Sequence, residues 1–156
     1  MEWDRPPLNK VYEALGAIGD KRIEADGNRA KVYSSSRNKY YDVTYDPANF
    51  TISSNDNASY YVGYLGYPAI AMLLMKGSVT YDPRLAKYLT GFAWKDINHK
   101  FKNNYEKTDR YIDEEIIQKH KLNIVIFHNQ LEKILEDIME LKLKRPAVLQ
   151  KPPKGY

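Results

Sequence analysis

Residues 50–77, FTISSNDNASYYVGYLGYPAIAMLLMKG, decide how the chain is read. The segment ends a strand at Phe50–Ser53, crosses a polar turn, passes Tyr60, Tyr61, Tyr64 and Tyr67, and enters a short apolar helix. Pro68 suits the first helical turn, Ala69–Met75 fills the helix, and Gly77 ends it. Asp56, Asn57 and Ser59 carry side chains suited to turns and helix caps. The run from Asn57 to Met75 is uncharged, but its serine, glycines, proline and tyrosines mark a core segment rather than a membrane span.

Upstream of it, four short extended segments are expected to pair as an antiparallel meander: Arg22–Ala25, Ala30–Ser35, Tyr40–Tyr45 and Phe50–Ser53. Asp26-Gly27-Asn28 is a hairpin signal, and Asp46-Pro47-Ala48-Asn49 is good turn chemistry. Earlier still, Val11, Leu15 and Ile18 recur at helical spacing. They predict a short helix capped by Asn9, stopped at Gly19 and laid against the sheet. Residues 1–8, with Pro6-Pro7, are expected to be loose.

Downstream, Asp82-Pro83 starts a further helix along Leu85, Tyr88, Leu89 and Phe92. After Gly91 the pattern resumes as Trp94, Ile97, Phe101 and Tyr105 on one face, with Lys95, Lys100 and Lys102 on the other. Ile117, His120, Ile124, Phe127, Leu131, Ile134, Ile138 and Leu141 then alternate spacings of three and four, which is a heptad seam. A single long C-terminal helix over about 109–143 would run roughly 50 Å at 1.5 Å per residue. Leu122–Phe127 is rich in β-branched residues, which leaves a strand there as an alternative, and Asn123 is a point where the helix could break. The expected architecture is α+β: one domain over 1–145, followed by a disordered basic tail over 146–156.

The 156 residues are about the length of one domain. Cysteine is absent, which removes disulfides, thiolate metal sites and thiol nucleophiles and fits a reducing, cytoplasmic setting. The N-terminal MEWDRPPLNK has no apolar signal region, so Asn49-Phe-Thr51 and Asn57-Ala-Ser59 are read as chance matches to the glycosylation sequon. The formal net charge is +4, concentrated in Lys21, Arg22, Arg29, Lys31, Arg37 and Lys39 and in the tail, whereas Asp109–Met139 is net acidic. Such asymmetry suits an acidic partner on one side of the molecule.

Residues 31–75 resemble a SWIM-type zinc-binding module. The stretches that carry the resemblance are KVYSSSRNKYYDVTYDP, FTISS and GYPAIAMLL. In that family a hairpin bears a Cys-x-Cys pair and a Cys-x-His pair opens the following helix. Ile52 and Ser54 stand at the first pair here, and Gly66 and Pro68 at the second, so no zinc ligand is present. The resemblance implies a scaffold that has replaced its metal with packing, and a nucleic-acid- or protein-binding role.

No nucleophile motif, phosphate-binding glycine loop or zinc-binding His-Glu-x-x-His occurs, and no catalytic residue, metal ligand or cofactor is expected. His120 and His128, eight residues apart, would share a side of the long helix as ordinary structural histidines. The 14 tyrosines are the unusual feature of the composition. The sequence therefore predicts a non-enzymatic binding module. Lys21, Arg22, Arg29, Lys31, Arg37, Lys39, Lys95, Lys100 and Lys102 would hold a nucleic acid backbone, and Tyr60 and Tyr61 would stack on bases. The alternative is a protein–protein interaction or homo-oligomerisation module assembled through the heptad seam.

Overall fold

The computed structural model describes residues 1–154. At its centre lies α2 (Tyr67–Met75), in which every residue from Ala69 to Leu74 is at most 3% exposed. A helix that is apolar all round is stable only when covered on every side. One side is covered by a four-stranded antiparallel sheet in the order β1 (Ile23–Asp26), β2 (Arg29–Tyr33), β3 (Tyr40–Asp46) and β4 (Thr51–Ser54). The other side is covered by α1 (Asn9–Gly19).

The meander follows the expected turns. The strands pair in registers such as Ala25 opposite Ala30, Val32 opposite Tyr41 and Tyr45 opposite Ile52. Because successive strand side chains face opposite ways, Ala30, Val32, Tyr41, Val43, Tyr45 and Ile52 are buried while Arg29, Lys31, Asp42 and Thr44 face outward.

Three expectations about the helices are corrected. First, α1 does not lie on the sheet; α2 takes that place. Instead α1 packs among α2, α3 (Pro83–Tyr88), α5 (Tyr105–His120) and α6 (Ile124–Glu140), and everything from Asn9 to Ala17 is buried. Asn9 is not a cap, since its amide crosses the interior to donate to Asp109 Oδ1 at 2.7 Å.

Second, the face running from Trp94 to Tyr105 is not one helix. α4 covers Trp94–Lys100, Lys102 and Asn103 turn left-handed, and Asn104 caps α5 by accepting from Lys107 N–H. Third, the single helix over 109–143 is two. Lys121 adopts the left-handed conformation that ends α5, and the Asn123 Oδ1 accepts from Val125 and Ile126 N–H to start α6. The short connection redirects the chain so that both helices pack on α1 and His128 of α6 meets Asp113 of α5, and Leu122–Phe127 is loop and helix start, not strand. Replacing Asn123 with alanine is expected to cost about 1 kcal/mol, measured by urea denaturation.

The break also redefines the seam. Phe127, Leu131, Ile134 and Ile138 are buried in the chain's own core, and Ile124 and Leu141 pack against it. His120 lies against the Tyr88 ring, with centroids 4.9 Å apart, and Ile117 is 37% exposed. His120 and His128 stand on different helices, contrary to expectation.

The N-terminal residues are not loose. Trp3 is buried, its amide donates to Leu143 O, and its indole Nε1–H donates to Ile52 O at 2.9 Å. Lys144 pairs with Thr51 and Glu2, so both ends of the chain cover the β4 edge that would otherwise be open to association. Beyond Arg145 the backbone is irregular, but Leu149 packs against the core; the last part of the expected disordered tail, residues 155–156, lies outside the described residues. Among the described residues no helix is long and apolar enough to cross a membrane.

Candidate functional site

Where α1, the sheet and the loop before α2 meet, they leave a cavity of about 370 Å³. Charged and aromatic side chains line it, and several of them are among the most buried polar groups of the molecule.

One wall is the polar face of α1. Lys10 and Glu13, one helical turn apart, form an ion pair at 3.2 Å. The Lys10 ammonium also donates to the Tyr105 hydroxyl at 3.4 Å and lies 4.4 Å from the centre of that ring. Burial by itself lowers the pKa of Lys10, but Glu13, Tyr105 and Tyr64 outweigh it and hold the ammonium above the ordinary lysine range. Lys10 is therefore a fixed positive charge, not a neutral amine. The Asn98 amide of α4 donates to the second Glu13 oxygen, leaving the Asn98 carbonyl oxygen buried without a partner.

A second wall is Arg22. Lys21 turns left-handed after α1 and directs the next side chain inward, where Arg22 is only 2% exposed. Its Nη1 donates to Tyr33 O at 2.7 Å and its Nε lies 3.5 Å from Asp20 Oδ2 without a hydrogen bond. The guanidinium sits 5.9 Å from the Tyr67 ring, which meets Tyr41 edge-on.

The third wall is the loop of residues 55–66. The Asp56 carboxylate accepts from Ser59 N–H at 3.1 Å and from Ser59 Oγ at 2.7 Å, and that hydroxyl accepts from Gly66 N–H. Asn55 Oδ1 ties the loop to β3 by accepting from Asp42 N–H. Ala58–Val62 form one π-helical turn ending at Gly63, which has a φ of +102°. Such wide turns occur often at functional sites. Here the turn carries Tyr61 to the rim, 72% exposed and edge-on to Tyr60. This loop is held by the carboxylate–hydroxyl–amide chain of Asp56, Ser59 and Gly66.

The fold sorts the predicted contacts into groups. Arg22, Lys95 and Tyr61 line the cavity. Lys39 stacks 5.3 Å from the Tyr41 ring, Arg37 donates to Asp20 O, and Lys95 N–H donates to Ser35 Oγ at 3.0 Å, so residues 34–39 and the start of α4 form one rim. Lys102 adjoins Asn103, another lining residue, and Lys100 lies over the Phe101 and Tyr111 rings. Lys21 is exposed beside Arg22.

Arg29 and Lys31 stand apart from the cavity. They lie on the outer sheet face, Lys31 between Glu24 and Asp42 and Arg29 opposite Asp26. Acids thus stand cross-strand from both cations on that face.

Lys10, Glu13, Asn98 and Tyr105 escaped the sequence reading. A signal existed. Gly16 and Gly19 lie on α1, where an added Cβ would meet Trp94 Nε1 at 2.5 Å and Ala86 O at 2.3 Å. A helix with glycines on one side and Val11 and Leu15 on another has no face left for solvent, so its charges must be buried.

The polar layer continues beyond the cavity between α1 and the α5–α6 pair. Tyr12 O–H donates to Asp113 Oδ1 at 2.7 Å, and His128 Nε2 lies 2.8 Å from Asp113 Oδ2. Asp109 beside Asn9 is pushed up to about 7, chiefly by burial and also by Asp113 and Glu13. The folded state therefore binds this proton more tightly than the unfolded chain, and stability falls as pH rises from about 4 to about 7. Asp109→Asn is expected to gain stability over the parent across that range and to keep the gain above it, measured as thermal midpoints at several pH values. Among the described residues no group of three or more His, Asp or Glu is placed to hold a metal ion.

No curated protein and no solved structure matches the chain. The family described as Uncharacterised conserved protein UCP014422 matches residues 3–144, a span that includes every cavity residue named above, and the chain belongs to that family.

Proposed function

We propose that the chain binds single-stranded nucleic acid, with one nucleotide entering the cavity and the neighbouring backbone following the basic rim. The observation that carries this reading is the meeting of two separate basic stretches at one aromatic-lined mouth. Residues 34–39 and the start of α4, sixty positions apart in sequence, are joined by the Lys95–Ser35 hydrogen bond. Cations serve the phosphates, and rings such as Tyr61 offer a face to any base.

The test is fluorescence anisotropy of labelled single-stranded DNA and RNA across a salt series. Affinity is expected to fall steeply with salt, with a slope of roughly −0.7 per phosphate contacted. Charge reversal at Lys95 and Lys102 is expected to weaken binding and flatten that slope. Charge reversal at Arg29 and Lys31 on the outer face is expected to leave both unchanged. Absence of binding at low salt removes nucleic acid from the account.

A further inference from the structure

The most buried cation of the cavity is poorly satisfied. A guanidinium offers five N–H donors in a planar fork. Among the described residues Arg22, 2% exposed, makes one hydrogen bond, from Nη1 to Tyr33 O; its Nε is buried with none and meets the Asp20 carboxylate only as an ion pair at 3.5 Å. Buried donors in folded proteins nearly always have partners, so this arrangement points to an acceptor that arrives from outside. Lys10, 7% exposed, adds a second cation to the same lining.

The two carboxylates of the lining do not compete for that role. Glu13 is engaged by Lys10 and Asn98, and Asp56 by Ser59. The unmet demand is thus for acceptor oxygens at Arg22, and for one donor at the buried Asn98 carbonyl oxygen. A phosphate supplies the first, suiting the bidentate fork of arginine. A sugar hydroxyl or base amino group supplies the second.

The size of the cavity and the depth of Arg22 favour one kind of phosphate. At about 370 Å³ the cavity is near the lower end of small-molecule pockets, which run from about 300 to 1,000 Å³. A phosphodiester at Arg22 would bring a nucleotide on each side of it into this space. A phosphomonoester brings one. We infer that the cavity is a site for a nucleotide bearing a terminal phosphomonoester, which Arg22 and Lys10 hold while Asn98 accepts a hydrogen bond from the nucleoside. The inference rests on the nucleotide-binding reading above, and both a strand end and a free mononucleotide present this chemistry.

The full-length protein is titrated with one oligonucleotide in three forms, 5′-phosphorylated, 3′-phosphorylated and unphosphorylated, and with adenosine 5′-monophosphate and inorganic phosphate. One phosphorylated end is expected to bind at least about tenfold more tightly than the unphosphorylated strand, as a charge-assisted pair of hydrogen bonds would give. Arg22→Lys keeps the charge and loses the fork, and is expected to erase that preference. The wild-type comparison needs no variant, so it decides the matter even where Arg22→Lys does not fold. Equal binding of all three strands overturns the inference and leaves the strand-binding reading intact. Binding of the mononucleotide but of no strand supports the phosphomonoester site and overturns the strand-binding reading. Inorganic phosphate binding as tightly as the mononucleotide overturns the nucleoside contact, and no binding by any probe overturns both readings.

Discussion

Gly66→Ala is expected to destabilise the protein by roughly 3 kcal/mol or more, through overpacking and the loss of buried hydrogen bonds. A Cβ at this position would lie 1.9 Å from Asp56 Oδ2 and 2.5 Å from Asp56 Cγ. The carboxylate cannot simply swing away, because it receives both the amide and the hydroxyl of Ser59. Moving it leaves a buried negative charge short of donors and frees Gly66 N–H from Ser59 Oγ. The φ of Gly66 is −74°, so the requirement is for space and not for left-handed backbone. Gly77→Ala is the matched control. It sits at a φ of +75° with nothing near its would-be Cβ, and is expected to cost only about 1 kcal/mol. Urea denaturation of both variants gives the comparison. Near-equal losses would mean that the Asp56–Ser59–Gly66 chain does not hold the loop.

Glu13→Ala is expected to cost about 3–5 kcal/mol, because it leaves the Lys10 ammonium buried and uncompensated. The pair has little access to water, with side-chain exposures of 9% and 5%. The same substitution also removes the acceptor of the Asn98 amide. A double variant, Lys10→Met with Glu13→Leu, removes both charges together. It is expected to recover most of the loss, since replacing a buried ion pair by apolar side chains of similar size is often neutral or better. Chemical denaturation of the two single variants and the double variant closes the cycle. Recovery of fold without ligand binding in the double variant would place the pair in the cavity's chemistry. Failure of the double variant to recover stability would mean that the pair contributes more than mutual neutralisation.

The elements that were legible in the sequence rest on local rules. The meander was readable because Asp26-Gly27-Asn28 and Asp46-Pro47-Ala48-Asn49 specify tight connections, and alternation along Tyr41, Val43 and Tyr45 specifies a one-sided sheet. The burial of α2 was readable because no amphipathic face exists in YPAIAMLLM. The C-terminal helices were misjoined for a reason of the same kind. A heptad pattern continues across Lys121-Leu122-Asn123, and periodicity does not register that Lys121 turns left-handed and Asn123 caps. Asn123 held both meanings, and the backbone chose the cap.

The cavity was illegible for a different reason. Lys10, Arg22, Asp56, the Lys95–Asn98 pair of α4 and Tyr105 come from five separate places in the chain, and no spacing rule links those places. Lys10, Asp56 and Asn98 alone read as solvated side chains or turn residues, and Tyr105 reads as part of an apolar helix face.

Composition, turn chemistry and apolar periodicity therefore determined, from the sequence alone, an α+β fold with an antiparallel meander followed by one wholly apolar helix. These properties depend on neighbours within a few positions, where backbone geometry is nearly fixed. Only the tertiary structure decided that α2 lies between the sheet and α1, that the heptad seam closes on the chain itself, and that Arg29 and Lys31 face away from Arg22. It also decided which charges lose their water. Burial depends on what covers a residue from distant parts of the chain, and a charge acquires unusual chemistry only when that cover excludes solvent.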